Sequence, residues 1–207
     1  MNANALTPDA IQTVLAAQTY TPVKVPKIIK AFSRRKTREA AVLIPMVWQE
    51  NGWHILFIRR TELDGDMHSG QVALPGGGWE DGDANLVETA LRESQEELAI
   101  RPEDVQVLGR LGEQFAISNR RVVPVVGTMP WPYPLVRQER EVARWFTIPL
   151  NWLADPANRT TKERKLPLGV AKFEVIYFDE YDGEVLWGLS ARIILDFLEI
   201  LNISKGE

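Results

Sequence analysis

The sequence contains no cysteine and only two histidines, His54 and His68. The absence of cysteine excludes disulfides, thiolate nucleophiles and cysteine-ligated zinc. Two histidines are too few for a multi-histidine metal site. Chemistry in this chain must therefore depend on other residue types.

Long apolar runs and an excess of positive charge are also missing. No stretch approaches the roughly 20 apolar residues that span a bilayer, and the first residues lack the pattern of a secretory signal. The formal net charge of −4 gives no overall positive field for nucleic acid. We therefore expect a cytoplasmic protein that has no membrane or nucleic-acid partner.

The length of 207 residues and a hydrophobic fraction of 45% predict one main domain with a substantial core. Residues 1–39 are predicted to form an N-terminal helix, capped by Thr7 with Pro8 in its first turn, and a basic connector packed on this domain. The main domain is predicted to span residues 40–207. Residues 24–38 are rich in Lys and Arg, which fits either a solvated connector or an approach surface for an anionic substrate.

Hydrophobic periodicity and turn residues predict an alternation of strands and helices. Strands are predicted at residues 40–48, 53–60, 105–111, 122–128, 142–148 and 172–181. Helices are predicted from about residue 83 to 98, at 149–153 and at 190–201, the last capped by Ser190, with a loop at 61–74. This order indicates an α+β fold in which a mixed β-sheet lies between helices, an α/β/α arrangement.

A glycine run, Gly76 to Gly78, precedes an acidic helix that carries Glu93, Glu96 and Glu97. These glutamates are three and four residues apart, so they share a face, which we expect to point outward from the packed side of the helix. Crowded carboxylates repel one another unless a cation joins them, and hard ions such as Mg²⁺ prefer oxygen ligands and substrate phosphates. A solvated acidic surface is the alternative, but the adjacent glycines favour a metal-assisted phosphate site.

This segment resembles the Nudix box, the pattern Gly-x5-Glu-x7-Arg-Glu-U-x-Glu-Glu-x-Gly-U, in which U is a bulky aliphatic residue. The matching residues are Arg92, Glu93, Glu96, Glu97 and Ile100. Ala99 stands in place of the later glycine and Ser94 in place of the first U. Asp83 replaces the early glutamate, with eight rather than seven residues before the arginine.

The surroundings of the box are similar to the coenzyme A pyrophosphatase branch of the Nudix hydrolases. That branch carries Pro-Gly-Gly followed by two spaced acids, here residues 75–77, Glu80 and Asp83. Upstream, residues 68–77 fit the signature of the branch, whereas Asp66 replaces its arginine. Downstream, residues 123–127, 141–142, 148–150 and 186–191 also resemble the branch, so the resemblance covers about residues 40 to 201.

The resemblance implies metal-dependent hydrolysis of a nucleoside diphosphate linked to a further group, with Mg²⁺ or Mn²⁺ as cofactor. It implies that Glu93, Glu96 and Glu97 bind the metal, joined by the Gly77 carbonyl. Arg92 is expected to orient these carboxylates.

A general base outside the box is expected at Glu141, with Glu139 as second choice. The alternative for Glu141 is a solvated edge residue. The backbone of Gly76 and Gly77 and the side chains of Arg59 and Arg60 are expected to contact the substrate, although both arginines could instead form ion pairs at a strand end.

Other residues keep two interpretations. Asp83 is expected to cap the acidic helix, and together with Glu80 it could instead bind metal. His68 is expected to be an ordinary loop residue, with a role as a base as the alternative. Trp131, Tyr133 and Trp145 could stack on an adenine or simply pack.

The expected substrate is a small nucleotide, coenzyme A or a derivative, cleaved to adenosine 3′,5′-bisphosphate and 4′-phosphopantetheine. ADP-ribose, NADH or a modified nucleotide is the alternative within this enzyme class. A non-catalytic nucleotide sensor and an mRNA-decapping enzyme are alternatives outside it. The chain could also form a homodimer.

Overall fold

The computed structural model describes residues 5–20, 37–50, 52–62, 69–165 and 172–203. The helices are α1 (Pro8–Ala16), α2 (Leu86–Leu98), α3 (Leu150–Ala154) and α4 (Gly188–Ile200). The strands are β1 (Arg38–Gln49), β2 (Gly52–Arg60), β3 (Val72–Ala73), β4 (Gly76–Gly78), β5 (Gln106–Arg110), β6 (Gln114–Ala116), β7 (Arg120–Thr128), β8 (Val142–Pro149), β9 (Arg159–Lys165), β10 (Lys172–Tyr181) and β11 (Glu184–Trp187). Two short 3₁₀ turns, Pro102–Asp104 and Pro156–Asn158, complete the order.

The long strand β1 lies at the centre of an eight-stranded sheet. The strand order is β3-β2-β1-β7-β5, with β4 also paired to β1, β8 to β2 and β6 to β7. β1 runs parallel to β7 and antiparallel to β2 and β4, so the sheet is mixed. Nearly every residue in the middle of β1 and β2 is buried, as expected for strands that are covered on both faces.

Helices cover the two faces of this sheet and produce two hydrophobic cores. One core joins α1 and α4 to the sheet through residues such as Ile11, Phe57 and Phe197. The second core joins α2 to the opposite face through residues such as Leu98 and Ile58. The predicted fold class, a mixed sheet between helices, is therefore confirmed.

A second sheet of three antiparallel strands follows the main one, in the order β11-β10-β9. Its strand β9 has the sequence RTTKERK, which lacks the alternation of apolar residues that marks a half-buried strand, and it was not predicted. Helix α4 begins immediately after β11 and packs in the first core. The second sheet is thereby attached to the main one.

Several predicted boundaries are wrong. Helix α2 begins at Leu86 rather than near residue 83, because the side chain of Asn85 accepts the first free amides. Helix α4 begins at Gly188, two residues before the predicted cap Ser190, and has no side-chain cap. The predicted loop at 61–74 contains β3, and the short strands β4, β6 and β11 were not predicted.

The N-terminal helix agrees with its prediction. Thr7 caps α1 by accepting the amide of Ala10 at 3.2 Å, and Pro8 is the first helical residue. Leu15 packs against β5 at Gly109, where an added Cβ would lie 3.0 Å from the Leu15 side chain. The domain boundary at residue 39 stays a prediction.

Some predicted features fall outside the described residues. These are Asp66, His68 and nearly all of the basic segment at 24–38. Within the part of the chain that the structure describes, no helix is long and apolar enough to cross a membrane.

Candidate active site

The glycine strand β4 packs directly against helix α2. Gly76, Gly77 and Gly78 pair with Val42, Ala41 and Ala40 of β1 in antiparallel register. At Gly76 the backbone adopts φ +148°, and a Cβ there would lie 2.4 Å from the carbonyl oxygen of Ala41. Only glycine fits this position, because the obstacle is main chain and cannot move aside.

Glu97 is almost fully buried, with 1% of its side chain exposed. Its Oε2 accepts the Gly76 amide at 2.9 Å, and its Oε1 lies 4.0 Å from Nη1 of Arg60. Burial raises the pKa of this carboxyl from 4.5 to about 8, although the Gly76 amide and Arg60 oppose the rise. The nearby charges of Glu93 and Glu141 add to it.

Glu93 lies directly on the backbone of Gly77. A Cβ at Gly77 would lie 2.4 Å from the carboxyl carbon of Glu93, so the missing side chain is what makes room for this carboxylate. Burial raises the pKa of Glu93, partly offset by the charge of Arg92. Two consecutive glycines thus each receive one carboxylate from α2.

Arg92 links the glycine strand to the acidic residues of the helix. Its guanidinium donates to the Gly78 carbonyl at 2.9 Å and lies 3.2 Å from both Glu93 and Glu96. Its closest partner is Asp83, at 2.8 Å from Nε. The orienting role of Arg92 stays a prediction.

Asp83 does not cap α2, contrary to the prediction. One carboxyl oxygen accepts from Thr89 at 2.8 Å and from the Glu80 amide at 3.0 Å, and both oxygens accept from Arg92. The Arg92 guanidinium holds the pKa of Asp83 well below its usual range, and the pair raises the pKa of Arg92.

The cap of α2 is Asn85, whose side chain accepts the amides of Val87 and Glu88. The spacing of Asn85 and Glu88, which follows three residues later, resembles a capping box and is the sequence signal that could have identified this start.

The predicted outward orientation of the three glutamates is correct only for Glu96, which is exposed. Glu97 and Glu93 turn toward β4, which packs on that part of the helix. Glu80 is exposed in the preceding turn. The helix therefore presents one exposed, one half-buried and one buried carboxylate instead of an open acidic face.

Glu141 and the two arginines of β2 lie in different environments. Glu141 is exposed immediately before β8, close enough that its charge raises the pKa of Glu93 and Glu97. Glu139 is exposed and pairs with Arg137. Arg60 faces Glu97, whereas Arg59 pairs with Glu184 and Glu62 on the other face of the sheet, since successive strand residues alternate.

The aromatic candidates lie apart from the carboxylates. Tyr133 donates to Asp104 and accepts the Arg101 amide, which fixes it beside the end of α2. Trp131 and Trp145 meet edge to face at 6.0 Å. They help to line a cavity of about 510 Å³ at the β8 edge, whose lining includes none of the α2 glutamates.

The donor set fits a hard divalent cation by its chemistry, since it consists of carboxylates and the Gly77 carbonyl. Among the described ranges, however, no three Asp, Glu or His side chains already converge on one point. Arg92 contacts two of the carboxylates, Glu93 and Glu96. Binding a cation here would therefore require these two side chains to exchange part of their contact with Arg92.

The raised pKa of Glu97 gives a prediction for the metal-free protein. The folded state holds a proton on Glu97 that the unfolded chain releases, so the stability from this group is complete below pH 4.5 and is lost as pH rises to about 8. We expect the free energy of unfolding of wild type, relative to that of Glu97→Gln, to fall by about 1.4 kcal/mol for each pH unit of increase in this window. Urea unfolding at several pH values in EDTA measures it.

Glu103→Gln is the matched control for this titration, because Glu103 is exposed and remote from β4. Its stability relative to wild type should not vary with pH in the same window. A constant difference between wild type and Glu97→Gln from pH 5 to pH 8 would contradict the raised pKa.

Comparison with known proteins identifies the family. Residues 37–168 match the model of the NUDIX domain. The chain is 40% identical over 160 residues to the Nudix hydrolase NudL of Pectobacterium atrosepticum, covering 76% of this chain and 79% of the relative. It is 35% identical over 169 residues to NudL of Yersinia pestis, covering 80% and 81%.

Among solved structures, a MutT/nudix family protein from Enterococcus faecalis has a similar fold. The TM-score is 0.52 at 14% identity, over 91% of this chain and 71% of that chain. The chain therefore belongs to the Nudix hydrolases, enzymes that hydrolyse nucleoside diphosphate derivatives, generally with divalent cations.

Proposed function

We propose that this enzyme hydrolyses the diphosphate of coenzyme A or a derivative, giving adenosine 3′,5′-bisphosphate and 4′-phosphopantetheine. The observation that best supports a hydrolytic site here is the contact of Glu93 with Gly77 and of Glu97 with Gly76. A buried and a half-buried carboxylate, beside half-buried glycine backbone and a guanidinium, suit a bound diphosphate and its counter-ion.

The choice of coenzyme A is supported by the segment that leads into this site. Residues 69–77, which fit the signature of the coenzyme A branch, include β3 and continue through Pro75 into β4. The Pro75 carbonyl accepts the amide of Leu43 at 2.8 Å, which fixes this segment to the central strand. The segment therefore borders the carboxylates in space as well as in sequence.

In this proposal Glu93, Glu96 and Glu97, with the Gly77 carbonyl, would hold Mg²⁺ or Mn²⁺. The bound ion would neutralise charge on the diphosphate and lower the pKa of a water. Arg92 keeps Glu93 and Glu96 oriented through its contacts with both. Buried Glu97 and half-buried Glu93 would supply ligands from the packed side of the helix, and exposed Glu96 would supply one from its solvent side.

The remaining residues act on the substrate and on the attacking water. Arg60 faces Glu97 and would contact a phosphate oxygen. Glu141 accepts a proton from the water, whose oxygen bonds to one phosphorus while the bridging oxygen leaves with the other phosphate. The ion pairs of Arg59 with Glu184 and Glu62 favour a structural role for that arginine.

Product analysis tests the proposal. We would incubate the enzyme with Mg²⁺ or Mn²⁺ and coenzyme A, acetyl-coenzyme A, NADH, ADP-ribose or 8-oxo-dGTP, and identify products by mass spectrometry. The expected result is preferential release of adenosine 3′,5′-bisphosphate from the coenzyme A compounds. Preferential cleavage of another compound would overturn the substrate assignment, and nucleotide binding without any cleavage would favour a sensor.

A further inference from the structure

Two arginines stand directly opposite each other on neighbouring strands. Arg59 of β2 and Arg144 of β8 are cross-strand partners in the antiparallel ladder. Like charges in such a pair destabilise a sheet unless a counter-charge lies between them. The carboxylate of Glu184 fills this place, with Oε2 at 3.3 Å from Arg59 and Oε1 at 3.5 Å from Arg144.

Glu184 is the buried member of this ion-pair cluster. Its side chain is 7% exposed, whereas Glu62, which also pairs with Arg59, and Asp182, which also pairs with Arg144, are largely exposed. Exposed ion pairs contribute little, but removing one partner of a buried pair leaves an uncompensated charge. Glu184 should therefore dominate the balance between the two arginines.

The register of the same two strands shifts at the next residue. Arg59 pairs with Arg144, but Arg60 pairs with Val142, so Ala143 is an extra residue on β8. The guanidinium of Arg137 donates to the Ala143 carbonyl. An insertion of this kind is a β-bulge, which bends a strand and redirects its side chains.

This bulge lies beside two residues of the candidate active site. Arg60, immediately after Arg59, lies 4.0 Å from Glu97. The next amide, that of Thr61, donates to the Glu141 carbonyl at 2.9 Å. The end of β2 and the start of β8 therefore set the positions of Arg60 and Glu141 together.

We propose that Glu184 is a positioning residue for catalysis. By neutralising Arg59 and Arg144 it fixes the bulge, and through the bulge it holds Arg60 and Glu141 beside Glu97. Glu184 lies on β11, beyond the residues that match the NUDIX domain, so the second sheet would help to order the active site. The catalytic part of this inference rests on the proposed diphosphate hydrolysis.

Amide hydrogen exchange and kinetics together test the role of Glu184. In Glu184→Gln we expect faster exchange at Thr61, unchanged exchange in β7, and a fall in kcat of about tenfold, the scale seen when supporting partners of a site are lost. Adding Arg144→Gln to this variant removes one of the two positive charges that face each other. Both the exchange at Thr61 and kcat should then return toward the wild-type values. Asp182→Asn, which changes an exposed partner, should leave both nearly unchanged.

The outcomes distinguish a failure of the role of Glu184 from a failure of the proposed hydrolysis. Unchanged Thr61 exchange in Glu184→Gln would overturn the inference, as would faster exchange throughout β7, which indicates general destabilisation. Unchanged kcat in an active wild-type background would overturn the catalytic role. If wild type cleaves no diphosphate, the proposed function fails and with it the catalytic role, while the Thr61 measurement still decides whether Glu184 orders the bulge.

Discussion

Replacement of Glu97 with glutamine is expected to lower kcat for diphosphate hydrolysis by about a hundred-fold or more, the scale of losing one preorganised charge-stabilising contact. Glutamine preserves the shape of the side chain and can still accept the Gly76 amide. It cannot supply the negative charge that a divalent cation requires. The same change removes a costly buried charge, so the metal-free variant should be more stable than wild type at pH 8.

This combination of lower activity and higher stability distinguishes a catalytic carboxylate from a structural one. Steady-state kinetics at saturating Mg²⁺ gives kcat, and thermal unfolding in EDTA gives the change in Tm. Glu103→Gln, an exposed carboxylate outside the site, should change neither quantity. An unchanged kcat for Glu97→Gln would show that the assignment of this ligand is wrong.

Replacement of Gly77 with alanine is expected to lower kcat by about a hundred-fold, because a misplacement of about 1 Å in an active site can have this effect. The new Cβ would lie 2.4 Å from the carboxyl carbon and 2.4–2.5 Å from both carboxyl oxygens of Glu93. Such distances are far below van der Waals contact, so the Glu93 carboxylate must move away from Gly77 of β4. Because Glu93 is tied to Arg92, the displacement should also disturb Glu96.

The adjacent glycine supplies a matched control for this steric effect. A Cβ at Gly78 would meet only the end of the flexible Arg120 side chain, at 3.2 Å. Gly78→Ala should therefore retain most of the activity, while both variants remain folded by circular dichroism. Equal losses of kcat in the two variants would contradict the proposed contact between Gly77 and Glu93.

The sequence predicted those parts of the structure that depend on local pattern. The strands β1, β2, β7, β8 and β10 follow from runs of apolar and β-branched residues. The acidic helix follows from its helical periodicity, and the fold class follows from the order of elements. The shared helix face of Glu93 and Glu97 also follows, because residues four apart are neighbours on a helix.

The parts that were missed depend on tertiary contacts. Three glycines have no intrinsic preference for a strand, yet β4 forms because β1 supplies its partner. The burial of Glu97 follows from this pairing, because β4 covers part of the acidic helix face. Helical periodicity alone predicts that this face is exposed to solvent. Asp83 was expected to cap the helix, but Arg92, nine residues later, offers a charged partner that the local pattern does not reveal.

Isothermal titration calorimetry with Mn²⁺ shows whether the α2 glutamates hold a divalent cation. We predict binding by wild type and Glu103→Gln that Mg²⁺ displaces. In Glu97→Gln we predict at least about tenfold weaker binding, as expected for the loss of a ligand charge. Equal Mn²⁺ affinity in all three proteins would show that the cation binds elsewhere and that the α2 glutamates are not its ligands.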